Sequence, residues 1–304
     1  MRLLQSSWSL TPEEESVLDP GTTKLHQAAR GGREEKVVKY LKKTDVNSVD
    51  SVGRTPLHLS CGAGEARVSR RLLEAGAEMD VQDRRGVTPL GRAVEAGHQD
   101  TLLLLLERGA ELDIPDEKGE TSVHRAVRSR QEDILSLLVR RGANPDIINY
   151  DGESPLHLAV AAGDLTSTNI LLRAGALVNI RSHHLVTPLM VSARVGQEDL
   201  VATLLEFDAR VEEVDRDGNS AVVYARNNGE IIKILERYDK SKEPVTHFPS
   251  KAEDTPSIDQ QPVEGTNEEI EKEVEEEDDT WNDSLPLSDE EIGADRNRLI
   301  KSKV

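Results

Sequence analysis

The stretch Thr55-Pro56-Leu57-His58 recurs at a fixed step of 33 residues. It returns as Thr88-Pro89-Leu90-Gly91, Thr121-Ser122-Val123-His124, Ser154-Pro155-Leu156-His157 and Thr187-Pro188-Leu189-Met190, and one step further as Ser220-Ala221-Val222-Val223. A step of 32 back from Thr55 reaches Thr23-Lys24-Leu25-His26. A period of this length means stacked supersecondary units, so the chain reads as an array of seven such units over residues 22–238.

Within a unit the chemistry is helical. Thr55 suits an N-cap, and Pro56 falls in the first turn, where a missing N–H costs nothing. Leu57 and Leu59 face inward, and the small Ser60 shares its slot with Ala28, Ala93, Ala126, Ala159, Ser192 and Ala225. Gly64 closes this first helix, as do Gly32, Gly97, Gly163, Gly196 and Gly229 in their units. Arg130 holds that place in the fourth unit, so its turn is expected to differ. Val68, Leu72 and Leu73 mark a second helix, which ends at Gly76-Ala77. Asp208 replaces the equivalent glycine of the sixth unit and suits a left-handed conformation less well. A hairpin-like finger follows each pair, at Asp83-Arg84-Arg85-Gly86, Asp116-Glu117-Lys118-Gly119, Asn149-Tyr150-Asp151-Gly152 and Asp215-Arg216-Asp217-Gly218.

A 33-residue unit with threonine-proline-leucine-histidine, a mid-unit glycine, a leucine pair, glycine-alanine and an aspartate-led turn resembles the ankyrin repeat. The resemblance implies an all-α solenoid of helix-turn-helix units with β-hairpin-like fingers, and a concave groove that holds protein partners. A lone unit leaves one flank of its apolar surface wet, so neighbours must cover it. The outer two units then act as caps. The first carries Arg33, Glu34, Lys36, Lys39, Lys42 and Lys43, and the shortened last carries Lys233, Glu236 and Arg237.

Composition agrees with small stacked units: 36% of the chain is hydrophobic and 3% aromatic, too few large side chains for one globular core. Cys61 is the only cysteine, which rules out a disulfide within the chain and argues against a thiolate metal site. The leucine run 102–106 is far too short to span a membrane, and residues 1–6 show no secretory pattern, so a soluble, monomeric protein of the cytoplasm or nucleus is expected. Net charge is −19. Residues 239–304 hold 20 acidic and 8 basic residues, a net of −12, against −7 for residues 1–238. Such a balance repels phosphate backbones and argues against direct nucleic-acid binding.

The ends differ from the array. Residues 1–21 form a polar arm in which Thr11-Pro12-Glu13-Glu14-Glu15 reads as the start of a cap helix, with Trp8, Val17 and Leu18 against the first unit. Residues 239–304 lack the apolar content to order themselves and read as a disordered acidic tail. Trp281, Leu285 and Leu287 stand among its acids as a short binding motif, and Thr280 and Ser288 fit acid-directed phosphorylation. In this the tail is similar to POTE-type ankyrin proteins, a likeness that implies centrosomal or ciliary association. The terminal Ser302-Lys303-Val304 resembles a PDZ-domain ligand.

No nucleotide-binding, nucleophile-elbow or zinc-protease motif is present, so no catalytic residues or cofactors are expected. His26, His58, His124 and His157 share one slot about 10 Å apart from unit to unit, too far for a shared ion, and are expected to hydrogen-bond between units. The sharpest irregularity is the finger Ser182-His183-His184-Leu185, where leucine replaces the glycine and the turn is expected to change shape. With Ile148 and Tyr150 of the preceding finger, His183, His184 and Leu185 form a candidate partner patch. In the groove, Arg128-Ser129 and Arg194-Val195 precede the mid-unit turn, as Glu95-Ala96 and Ala161-Ala162 do. Arg128 and Arg194, with Arg84 and Arg85 on a finger, are candidates for an acidic partner segment. The function expected is a non-catalytic scaffold or adaptor with a second contact from the tail. The alternative is an inhibitor or cytoplasmic-retention protein of a transcription factor, whose acidic tail competes with DNA.

Overall fold

The structure is a computed structural model that describes residues 21–226 and 228–241. The expected cap helix of the arm, the motif at Trp281, Leu285 and Leu287, Thr280, Ser288 and the terminal tripeptide lie outside the described residues.

Among the described residues, fourteen helices form seven pairs: α1 (Lys24–Arg30) with α2 (Glu34–Leu41), α3 (Pro56–Gly62) with α4 (Ala66–Glu74), α5 (Pro89–Ala96) with α6 (Gln99–Glu107), α7 (Ser122–Arg128) with α8 (Glu132–Arg140), α9 (Pro155–Ala161) with α10 (Leu165–Arg173), α11 (Pro188–Val195) with α12 (Glu198–Glu206), and α13 (Ala221–Tyr224) with α14 (Gly229–Ser241). First helices pack on first helices in one layer, and α2 on α4, α8 on α10 and α12 on α14 in the other. Thr23, Thr55, Thr88, Thr121, Ser154, Thr187 and Ser220 are the extended N-cap residues of the first helices, and proline opens α3, α5, α9 and α11. Leu25, Leu57, Leu90, Leu156 and Leu189 are fully buried from the first helices, and Leu72, Leu105, Leu138 and Leu171 from the second. The small slot Ala28, Ser60, Ala93, Ala126, Ala159, Ser192 and Ala225 is buried throughout, which lets the helices of the first layer approach closely. The fingers are tight turns rather than hairpins: among the described residues no strand forms, and one isolated bridge joins Val214 to Ser220.

Two turns, at Arg130 and Leu185, correct the expectation that their sequence would change them, and Asp208 takes the conformation to which it is less suited. Arg130 (φ 52°), Leu185 (φ 59°) and Asp208 (φ 65°) all take the left-handed conformation that glycine takes in sibling units. The bonds are kept as well. Gln131 N donates to Ala126 O at 2.9 Å, as His98 N does to Ala93 O at 3.0 Å, and Leu185 N donates to Ser182 O at 2.9 Å, as Gly86 N does to Asp83 O at 2.8 Å. Stacking on both sides dictates the backbone, and the side chain bears the strain, on the order of 1–2 kcal/mol for a leucine. Leu185→Gly is therefore expected to raise stability by about 1 kcal/mol, less than the full strain because glycine also loosens the unfolded chain, and to lift Tm by about 2–4 °C. A thermal melt that moves down would refute the strain. Gly229 departs in the other direction. It opens α14 instead of closing α13, since the last unit is two residues short there.

Three sets of bonds tie each unit to the next. His26, His58, His124 and His157 direct Nε2 to Arg54 O (2.9 Å), Val87 O (3.0 Å), Glu153 O (3.2 Å) and Val186 O (3.0 Å) of the following unit. Nδ1 of each receives the N–H of its own N-cap residue, at 3.1–3.3 Å, so the proton must sit on Nε2. Both ring nitrogens are thus occupied. A second ladder was not read from sequence. Asn47, Asp80, Asp113, Asp146 and Asn179, 33 residues apart, accept through Oδ1 from the backbone N–H of Glu78, Glu111, Asn144, Leu177 and Arg210 at 2.8–3.1 Å. The third runs through the fingers. Arg84, Glu117, Tyr150 and Arg216 donate their backbone N–H to Val52, Arg85, Lys118 and His184 O, at 2.9–3.1 Å.

Candidate functional site

The fingers and the inner ends of the first helices face one another, and each finger is fixed from its first residue. Asp83 Oδ1 accepts Arg85 N (2.9 Å) and Val87 N (3.0 Å), and Asp116, Asn149 and Asp215 repeat the pattern at 2.8–3.0 Å. The second carboxylate oxygen then needs a partner, and the residue nine positions on supplies it. Arg92 reaches Asp83, Arg125 reaches Asp116, and Tyr224 Oη donates to Asp215 at 2.7 Å. Where that position is apolar, as at Leu158 and Val191, the finger begins with the neutral Asn149 or Ser182. Asp50 stands nine before Leu59 and takes Arg54 Nε at 2.7 Å instead. A buried carboxylate without such a partner would carry a desolvation cost of several kcal/mol, and the chain avoids it in every unit. Burial raises the Asp83 pKa, but the hydrogen bond and charge of Arg92 outweigh this and the net direction is down. The Tyr224 hydroxyl, with the backbone of the turn, holds the Asp215 carboxyl down to about 2.

The groove floor consequently changes character along the array. In the third and fourth units it is ionic. Glu95 lies between Arg92 (3.4 Å) and Arg125 (3.5 Å), and Arg128 Nε donates to the buried Glu120 at 2.5 Å. Glu95, Glu120, Arg125 and Arg128 line an open cavity of about 170 Å3. In the fifth and sixth units the floor is Leu158, Ala161, Ala162, Val191 and Val195, with the exposed Arg194 beside it. Arg92 and Arg125, which sequence reading passed over, are the structural arginines here; their signal was an aspartate nine residues earlier.

The candidate residues fall on this side as follows. Tyr150 is 69% exposed, Ile148 39% and Leu185 38%, and His183 and His184 are exposed with them on the neighbouring finger. The fourth and fifth fingers are in close register: a Cβ on Gly152 would come within 2.5 Å of His183 N. Ile148 is not alone in its slot, since Val49 and Val214 occupy it in other units and are exposed too. Arg84 is exposed at a fingertip, and Arg85 beside it reaches Glu117 only at 3.9 Å. Arg128 is committed to Glu120. Cys61 is fully buried, and burial pushes its thiol up to about 12, so it has no thiolate chemistry to offer. Among the described residues no helix is long and apolar enough to cross a membrane.

A family model described as "Ankyrin repeats (3 copies)" matches residues 25–116 and 109–182, together just over half of the chain. Human "Ankyrin repeat domain-containing protein 7" is 40% identical over 80 residues, which span 24% of this chain and 32% of that protein; the chain thus matches about a third of this relative's length. Two solved structures share the fold. The human ASB11 ankyrin repeat domain is 26% identical with a TM-score of 0.61, covering 71% of this chain and 98% of that one. The ankyrin repeat domain of Bcl-3, described as a unique member of the IkappaB protein family, is 29% identical with a TM-score of 0.68, covering 71% and 99%.

Proposed function

Since this chain belongs to the ankyrin repeat family, whose repeats serve protein–protein interaction, we propose that it is a non-catalytic scaffold or adaptor that grips a protein partner with its fingers and groove. The observation that carries the reading is the patch on the fourth and fifth fingers. Tyr150, Leu185 and Ile148 are large, apolar and exposed on neighbouring turns, where partner contact is the common reason for such exposure. The buried polar groups behind it are engaged in holding one unit to the next, which leaves the surface as the working part. The acidic residues 239–304 supply a second contact around Trp281, Leu285 and Leu287, and joining two modest contacts in one chain raises overall affinity.

The second reading is an inhibitor or cytoplasmic-retention protein of a transcription factor, with which the likeness to the Bcl-3 domain is compatible. One experiment addresses both. The intact chain, a Tyr150→Ala, His183→Ala, Leu185→Ala variant and a chain ending at Ser241 are used as baits, and the principal retained protein is then titrated against each by calorimetry. The triple variant is expected to lose more than about 1–2 kcal/mol of binding. Unchanged affinity would remove the fingers from the site. A basic DNA-binding partner lost with the tail, together with a flattened salt dependence, would favour the second reading.

A further inference from the structure

We propose that the finger edge reads a two-part peptide: an acidic cluster over the second and third fingers and a bulky apolar residue over the fourth and fifth. This rests on the interaction reading above and names the chemistry of the partner segment. The chain carries a net charge of −19, yet the tips of fingers 83–86 and 116–119 present Arg84, Arg85 and Lys118 against a single acid, Glu117. All four are exposed, and the one ion pair among them is long, 3.9 Å, between half-exposed groups. Their charge is therefore available to carboxylates of an incoming chain. The next two tips carry Tyr150 and Leu185, with His183, His184 and Asp151.

The two halves form one edge. Tyr150 N donates to Lys118 O at 2.9 Å, and the Tyr150 ring lies over Gly119, where a Cβ would come within 2.9 Å of its Cδ1. A partner chain thus passes from cation to aromatic ring without crossing a gap. Units stacked through their helices repeat about every 9 Å. The centres of the two halves are two units apart, roughly 18 Å, which an extended chain covers in about five or six residues at about 3.3 Å each. The expected motif is an acidic cluster and a tryptophan, leucine or phenylalanine separated by that interval.

The test is selection of a random 16-residue display library on the full chain, followed by titration of the synthetic consensus peptide at low and high salt. The expected consensus joins acids to a bulky apolar residue about six positions away. Arg84→Ala with Arg85→Ala should weaken it at least tenfold at low salt and flatten its salt dependence, because exposed charges are screened. Tyr150→Ala with Leu185→Gly should weaken it at least tenfold at every salt concentration; glycine keeps the turn that Leu185 occupies. Peptides that use Tyr150 and Leu185 but carry no acids, or that ignore the two arginines, would overturn the two-part readout and leave the finger patch standing. Peptides weakened by neither variant, or no enrichment, would overturn both.

Discussion

Arg92→Leu is expected to cost about 3–5 kcal/mol, a large share of the roughly 5–15 kcal/mol that holds a folded domain. The loss comes from what is left behind. The Asp83 side chain is only 1% exposed, and its second oxygen faces Arg92, itself 5% exposed. Without the guanidinium an anion stays buried with no cation beside it. The double change Asp83→Asn with Arg92→Leu should recover most of the loss and fall within about 1.5 kcal/mol of the parent, because a well-packed neutral pair often matches a buried ionic one. The chain already uses that pair, as Asn149 with Leu158. Glu95 keeps Arg125 as a partner in both variants. Urea unfolding midpoints decide the matter. A double variant no more stable than Arg92→Leu would show that the arginine matters for packing and not for charge.

Acid should destabilise the array in a range set by its buried histidines and not by the Asp83 carboxylate. Desolvation lowers the pKa of His26, His58, His124 and His157, that of His58 to about 4, against an ordinary value of 6.5. Between those values the unfolded chain binds protons that the folded chain refuses. Stability is therefore complete above 6.5 and falls as pH drops, at up to about 1.4 kcal/mol per pH unit for each histidine. For His58 the window runs from 6.5 to about 4, roughly 3 kcal/mol in all. Structure explains why protonation is resisted: Nδ1 already receives the N–H of Thr55 and has no room for a proton of its own. The net-lowered Asp83 carboxyl loses its contribution only below its ordinary value of 3.8, outside this window. Unfolding free energies from denaturant titrations at pH 7.5 and 5.0 should differ by several kcal/mol. His58→Met, the solution the chain adopts at Met190, should shrink that difference. A pH-independent midpoint would show that the imidazoles ionise freely in the folded state.

The fold was legible because its signals are local and repeated. Thr55, Pro56 and Gly64 act within one turn of themselves, and seven copies remove the ambiguity of any one. Arg130 and Leu185 were misread for the complementary reason. Their own preferences point away from a left-handed backbone, but neighbours on both sides impose it. The pairing of Asp83 with Arg92 was readable in principle, as a charge at the finger balanced nine residues later, and emerges only when Asn149 with Leu158 and Ser182 with Val191 are set beside it. The ladder through Asn47, Asp80, Asp113, Asp146 and Asn179 hid in plain spacing, since asparagine and aspartate in a loop suggest only a turn. Ile148, Tyr150, His183 and Leu185 could be placed on neighbouring fingers from the repeat alone. Their exposure, and the close approach of His183 to Gly152, needed coordinates.

In both ladders a side chain reaches forward to the backbone of the next unit, the histidines as donors and the asparagine–aspartate set as acceptors. Under tension applied at its two ends, a chain joined in this fashion releases its units singly instead of failing all at once. Each release frees about 33 residues, on the order of 100 Å of contour. Such a molecule behaves as a stepped spring, able to lengthen under load while the segments still folded keep their grip.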